Sequence, residues 1–380
     1  MKKMLAMQPQ TKEEKKVEYL ELIYDLIFVY IVGRNNSLIQ AVGNGFVPAW
    51  TFIAYILCTL AVIQIWNYST FYINMFGRNS VRDHIFLFVN MYLLYYIGEG
   101  THLHWINFHT QYHVAWALIL INTGLQYQIE WRHHAEDPGM RRTIRNMAVV
   151  LFGEAVLVLL AIPFENGGFP LFSFLAVAYG IGMNCFFADE KKAAMIDFGH
   201  LSERAMLYVV FTFGEMIIVT ASYFEGTLTP RSVYFSLMAF LIVAALFLSY
   251  EILYNQIIDR ERVTTGMGYM LIHVFLIFAM NSLTLALEFM QEERVQLLPK
   301  VAYLVCAFLL YYGCLFALMR YARNRMGLCR RFLMPLAVIA ISFVALMIVL
   351  REHMLANIAI SVLFVYAMFL RIYLYGKKQV

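Results

Sequence analysis

The sequence predicts an all-α fold, a polytopic membrane helix bundle of about twelve transmembrane helices, each needing about 20 apolar residues to cross a hydrocarbon core of about 30 Å. Composition is the first observation behind it. Only 14% of the 380 residues are charged and 61% are hydrophobic, with a mean hydropathy of +0.64, whereas a soluble protein is about a quarter charged. Charge placement is the second. Of the 29 Lys and Arg residues, all but Arg34, Arg231, Arg294, Lys300 and Arg351 fall in every second gap between apolar runs. Basic flanks stay on the cytoplasmic side, so this asymmetry counts the spans and puts both termini inside. Short loops are the third observation, because they force antiparallel neighbours.

Each span is justified by what bounds it. The first, Val17 to Val32, follows the charged stretch that ends at Lys16. The second, Pro48 to Tyr68, returns to Arg78 and Arg82, from which the third, Ile85 to Thr101, departs. The fourth, His113 to Trp131, comes back to Arg132, Arg141, Arg142 and Arg145 through a loop, His133 to Thr143, that holds Pro138-Gly139. The fifth, Arg145 to Pro163, and the sixth, Phe169 to Ala188, are joined by the tight turn Glu165 to Pro170, rich in Gly and Pro. Lys191 and Lys192 then precede the seventh span, Glu203 to Phe224. The eighth, Val233 to Asn255, ends at Arg260 and Arg262, and the ninth, Met267 to Phe289, leaves from them. The tenth, Lys300 to Arg320, reaches a basic run through Arg323, Arg325, Arg330 and Arg331. The eleventh, Phe332 to Leu350, and the twelfth, Met354 to Tyr375, are separated by an outer turn at Glu352-His353, and the chain closes inside at Arg371, Lys377 and Lys378.

The resulting organisation is a cytoplasmic segment at 1–16, a six-helix half at 17–188, a cytoplasmic linker at 189–202, a second half at 203–375 and a cytoplasmic tail at 376–380. The first and seventh spans run in the same direction and both open on an acidic, polar end, which a parallel six-plus-six repeat would explain. No length remains for a soluble catalytic domain. The net charge of +4 reflects the inner loops and implies no nucleic acid. Cys58, Cys185, Cys306, Cys314 and Cys329 have no CxxC spacing and read as buried free thiols, with neither a disulfide frame nor a zinc site. The stretch up to Lys16 lacks the apolar run of a cleavable signal peptide. Trp50, Trp66, Trp105, Trp116 and Trp131 lie mostly near span ends, where headgroup anchoring is expected. Walker, GxSxG, HExxH and Rossmann patterns are absent from the sequence, so no cofactor is expected.

Carboxylates inside the spans are the leading candidates, because an ionisable group in hydrocarbon must be paired, hydrated or neutralised. Glu21 and Asp25 are four residues apart and share one helical face, with Asp25 about 12 Å into its span at 1.5 Å per residue. Glu215 lies about 18 Å in from Glu203 by the same rise. Glu154 repeats the Phe-Gly-Glu pattern in the fifth span, and Glu251 lies near the inner end of the eighth. These acids are expected to gather at a shared centre, either as structural bonds that hold helices in register or as a proton or cation path. The glycines before Glu154 and Glu215 are expected to admit a neighbouring helix.

In HLSERAML, His200, Glu203 and Arg204 cluster at the start of the seventh span, and Arg204 is within reach of Glu21 if the two half-starts pack together, the alternative being an Arg that is solvated or snorkels at a helix end. His102, His104, His109 and His113, preceded by Glu99, reproduce no metal-ligand spacing, and no metal is expected. His273 and Asn281 form a polar pair within the ninth span.

VEYLELIYDLIFVYIV in the first span and HLSERAMLYVVFTFGEMIIVTAS in the seventh resemble the two signature segments of the bacterial low-temperature-requirement A membrane family. Glu21, Asp25 and Phe28 stand at the acidic and aromatic positions of the first, and His200, Glu203, Arg204, Gly214 and Glu215 at those of the second. The chain departs at Ile23-Tyr24, where two aromatics usually precede the Asp, and at Met216, where a serine commonly follows Gly-Glu. The family's name records growth in the cold and not a reaction, so the resemblance implies a multi-pass plasma-membrane protein. The residues themselves favour a secondary transporter of a small solute, coupled to protons or cations through Glu21, Asp25, Glu154, Glu215 and Glu251. The alternatives are a non-transporting scaffold or regulator of cold adaptation, and an intramembrane enzyme or cofactor binder using the carboxylates with His273 or the outer histidines. The expected partners are the lipid bilayer and a small solute or ion.

Overall fold

The computed structural model describes residues 15–39, 42, 45–100, 105–165, 170–187, 195–221, 228–292, 294–323 and 330–377. Among them the chain forms twelve α-helices and no strand: α1 (Tyr19–Arg34), α2 (Ala49–Phe76), α3 (Val81–Gly100), α4 (Trp105–His133), α5 (Pro138–Phe164), α6 (Leu171–Phe186), α7 (Phe198–Thr220), α8 (Pro230–Ile252), α9 (Met267–Gln291), α10 (Leu297–Leu318), α11 (Arg330–Val349) and α12 (Met354–Gly376). His102, His104, Lys191, Lys192, Arg325, Cys329, Lys378 and the basic residues before Lys15 lie outside the described residues.

Eight of these helices are long and apolar enough to cross a membrane: α1 with the 3-10 turn that extends it, α2, α5 and α8 to α12. In α6 the apolar stretch is only 16 residues, and α3, α4 and α7 are interrupted by charged and polar side chains such as Arg82, Asp83, Glu130, Arg204 and Glu215. This is a multi-pass membrane protein.

Helix starts differ from the sequence expectation where a cap overrides hydropathy. Asp137 accepts from the backbone N–H groups of Gly139 and Met140, with Pro138 at the first helical position, so α5 begins inside the expected basic loop. Asp197 accepts from His200 N at 3.1 Å, so α7 begins at Phe198 and takes in the end of the expected linker. Arg204 therefore sits in the second turn of a helix. α2 runs to Phe76, eight residues past the expected end.

Packing puts α1, α2, α7 and α9 at the centre, each touching at least two of the others. From Leu57 to Asn74 nearly every residue of α2 except Leu60 is buried, as expected of a helix enclosed on all sides. Neighbour relations recur in the two halves: α1 packs on α3 as α7 does on α9, α3 on α4 as α9 on α10, α1 on α2 as α7 on α8, and α2 on α6 as α8 on α12. The outer helices turn Phe88, Tyr92, Ile341 and Leu363 outward, where acyl chains solvate them.

Two expectations fail here. Trp66 and Trp116 are fully buried and anchor nothing at a headgroup layer, because both sit on inward faces of α2 and α4; Trp50 is exposed, and Trp131 stacks under Arg141 at 4.2 Å. Of the cysteines, Cys58 and Cys314 are buried, but Cys185 and Cys306 are exposed.

Candidate functional site

α1 and α7 meet through charge. Glu21 and Asp25, one turn apart on α1, face His200 and Arg204, one turn apart on α7. Arg204 Nη2 donates to Asp25 Oδ1, while its Nε lies 3.4 Å from Asp25 Oδ2 and 3.4 Å from Glu21 Oε2. His200 Nε2 is 3.4 Å from the same Glu21 oxygen. All four side chains are buried, Asp25 and Arg204 completely. The expected pairing of Glu21 with Arg204 is thus present, and a fork-shaped guanidinium suits a site with two carboxylates.

α2 completes the centre with residues that the sequence reading did not single out for it. Trp66 Nε1 donates to Asp25 Oδ1 at 2.8 Å, and its ring packs on Tyr208 with centroids 4.5 Å apart. Asn74 clamps the start of α7: its Oδ1 accepts from Asp197 N at 3.1 Å and its Nδ2 donates to Asp197 O at 2.8 Å. The backbone therefore dictates how the amide is turned. Nδ2 also faces His200 Nδ1 at 3.1 Å, so Nδ1 accepts, and the neutral ring carries its hydrogen on Nε2, toward Glu21. Just before α1, Lys15 Nζ donates to the carbonyls of Ile73 and Gly77. Burial pulls the Lys15 ammonium below its ordinary pKa, with Glu21 opposing and Arg204 adding to the shift.

Glu215 does not join this centre, contrary to expectation. On α7 it stands 11 residues beyond Arg204, about 16 Å along a helix, and a Cβ on Gly33 of α1 would come within 2.9 Å of its Oε1. Gly33 lies 12 residues beyond Glu21, so α1 and α7 pack parallel and in register. The α1 acids meet the arginine of α7, and its distal acid lies near Glu288 of α9, whose charge it acts on. Phe28 is buried with its ring edge-on to Tyr24 at 4.9 Å, and Glu203 is half-buried.

The remaining candidates fall elsewhere. Glu154 is completely buried on α5 and accepts from Tyr68 Oη at 2.5 Å and Gln64 Nε2 at 3.3 Å, both on α2. Gly180 of α6 makes this possible, since a Cβ there would collide with all three side chains. Gly153 does admit Tyr179 of α6, but a Cβ on Gly214 would meet nothing within 4 Å, so only one of the two motif glycines has the expected role. Glu251 is exposed at the end of α8 and belongs to no cluster among the described residues. His273 and Asn281 are separate: His273 bonds Tyr269 O at 2.9 Å and Tyr250 Oη at 3.0 Å, whereas Asn281 donates to Asn36 Oδ1 and Tyr55 Oη.

Two further charge clusters were not anticipated. Glu130, buried at the end of α4, takes Arg82 at 2.5 Å, with Arg78 and His134 beside it. Glu165, just after α5, lies against His109 and His113. Burial opposes its ionisation, but the His109 imidazole 3.7 Å away and the hydrogen bonds from Ser173 outweigh that and hold its carboxyl below the usual range. Only a partner distant in sequence distinguishes these acids from solvated loop charges.

A family model described as bacterial low temperature requirement A protein matches residues 16–369. Neither the curated proteins nor the solved structures gave a match.

Proposed function

The chain belongs to the bacterial low temperature requirement A family, and from that premise we propose that it is a secondary transporter of a small solute in the plasma membrane, coupled to protons or cations through the α1 carboxylates. The observation that carries this reading is the charge balance of the buried centre. Two carboxylates, Glu21 and Asp25, face one buried guanidinium, with the His200 imidazole against Glu21 and the Lys15 ammonium at the edge of the group. Low-dielectric surroundings penalise the unbalanced state, so occupancy of the centre by a proton or cation is linked to its packing.

The geometry supplies a way to convey that occupancy. A proton on His200 Nδ1 would set a donor against the Asn74 amide, which already donates there. Asn74 would then release either His200 or the α7 cap at Asp197, loosening the end of α2 from the start of α7. Recurrence of the helix neighbours in both halves, with α1 and α7 parallel and in register, supports a six-plus-six repeat, an architecture in which transporters bind at the repeat interface.

The test is reconstitution in liposomes carrying a luminal pH dye, challenged with amino acids, organic acids, sugars and monovalent cations. A solute-dependent proton flux that falls about tenfold or more in Asp25→Asn and in His200→Gln, with both variants monodisperse, is the expected result. Equal traces from wild type, both variants and empty liposomes would end the proposal. One observation favours the rigid scaffold as a second reading: Asp25 and Arg204 are wholly shut off from the surface. For a scaffold, both substitutions would lower the melting temperature while wild type carries no flux at all.

A further inference from the structure

At the end of the bundle where α4 begins and α5 stops, three metal-ligating side chains converge away from the ion-pair centre. His109 and His113 are one turn apart on one face of α4, with ring centroids 4.0 Å apart. Glu165 brings Oε2 to 3.7 Å from His109 Nε2 and 3.9 Å from His113 Nε2. All three residues are buried, and one ligand atom from each lies within 4.8 Å of the others. With metal–ligand bonds of about 2.0–2.1 Å, tetrahedral ligands sit about 3.4 Å apart; the two imidazole–carboxylate distances exceed that by a few tenths of an ångström, and closure draws in a set that already lies within 4.8 Å.

The surrounding bonds pre-set the ligand atoms. His113 Nδ1 faces the carbonyl oxygen of His109 at 2.7 Å; a carbonyl can only accept, so Nδ1 carries hydrogen and the neutral ring turns an Nε2 lone pair toward Glu165. Metal-binding histidines are oriented in this way by an outer hydrogen bond. Ser173 gives its N–H to Glu165 Oε1 at 2.8 Å and its hydroxyl hydrogen to Oε2 at 2.7 Å. Its oxygen also lies 2.8 Å from His113 Nε2, so one hydroxyl touches two of the three residues and holds them in place. A cation would serve both imidazoles and the carboxylate together.

We propose that His109, His113 and Glu165 form a divalent-cation site, with zinc the metal that suits two imidazoles and a carboxylate, and that the ion ties the start of α4 to the end of α5. The site is independent of the transport reading. Its test uses the full chain without an affinity tag, stripped with chelator in detergent and titrated with zinc. One equivalent retained through gel filtration, a raised melting temperature and an X-ray absorption spectrum with two imidazoles are expected. His109→Gln and Glu165→Gln should each weaken zinc binding about tenfold or more. Folded wild type that retains no zinc, equal affinity in both variants, or a spectrum lacking two imidazoles would overturn the assignment. Should a variant aggregate, the wild-type stoichiometry and spectrum still decide.

Discussion

Arg204 is completely buried, so Glu21 and Asp25 are what balances its charge. Replacing it by Met leaves two buried carboxylates unpaired, and breaking a buried pair from one side costs about 3–5 kcal/mol. Arg204→Met should therefore lower the melting temperature of the detergent-solubilised protein sharply, while Arg204→Lys should recover only part of the loss, because an ammonium lacks the planar fork that reaches both acids. A Met variant melting with wild type would show that the pair contributes nothing. The acids and Arg204 were legible in the sequence, because charge inside an apolar run demands a partner. Trp66 was not legible in that role: an indole serves equally at a headgroup layer or as a buried donor, and only its position on an enclosed helix distinguishes the two.

Among the helices, small residues decide how closely neighbours approach. Gly180 of α6 lies over Glu154, Tyr68 and Gln64, so Gly180→Ala overpacks the site and should cost about 1–3 kcal/mol. At Gly214 a Cβ meets nothing within 4 Å, so Gly214→Ala should stabilise α7 by up to about 1 kcal/mol through helix propensity. Thermal unfolding of the two variants tests this directly, and a reversed order would refute the packing around Glu154. Helix starts follow the same local logic. Asp197 and Asp137 cap α7 and α5, and Thr229 with Ser232 forms a capping box at α8. Those signals were present in the sequence, yet hydropathy windows passed over them and placed α5 and α7 several residues late.

For the whole molecule, the distribution of basic residues sets the expected orientation, with both termini cytoplasmic. Single cysteines placed at the exposed positions Glu352, between α11 and α12, and Glu261, between α8 and α9, test it in a background without native cysteines. An impermeant thiol reagent should label position 352 in intact cells and position 261 only after permeabilisation. The opposite pattern would invert the bundle. Parallel packing of α1 on α7 belongs to this scale as well: it places the α1 acids beside His200 and Arg204 and carries Glu215 off toward Glu288, a separation no single helix reveals.

Hydropathy, charge placement and two acidic motifs sufficed by themselves to determine a multi-pass helical membrane protein with charge buried on its first and seventh helices. The reason is that hydrocarbon acts on each segment separately, and its demands are written locally. Tertiary structure alone decided which charges meet. Arg204 rather than Glu215 answers Glu21 and Asp25, Tyr68 answers Glu154, and Glu165 joins His109 and His113, because each contact depends on the rotation and register of helices far apart in the chain. A residue's own span states that it needs a partner; only the packing of the other helices says which one it gets.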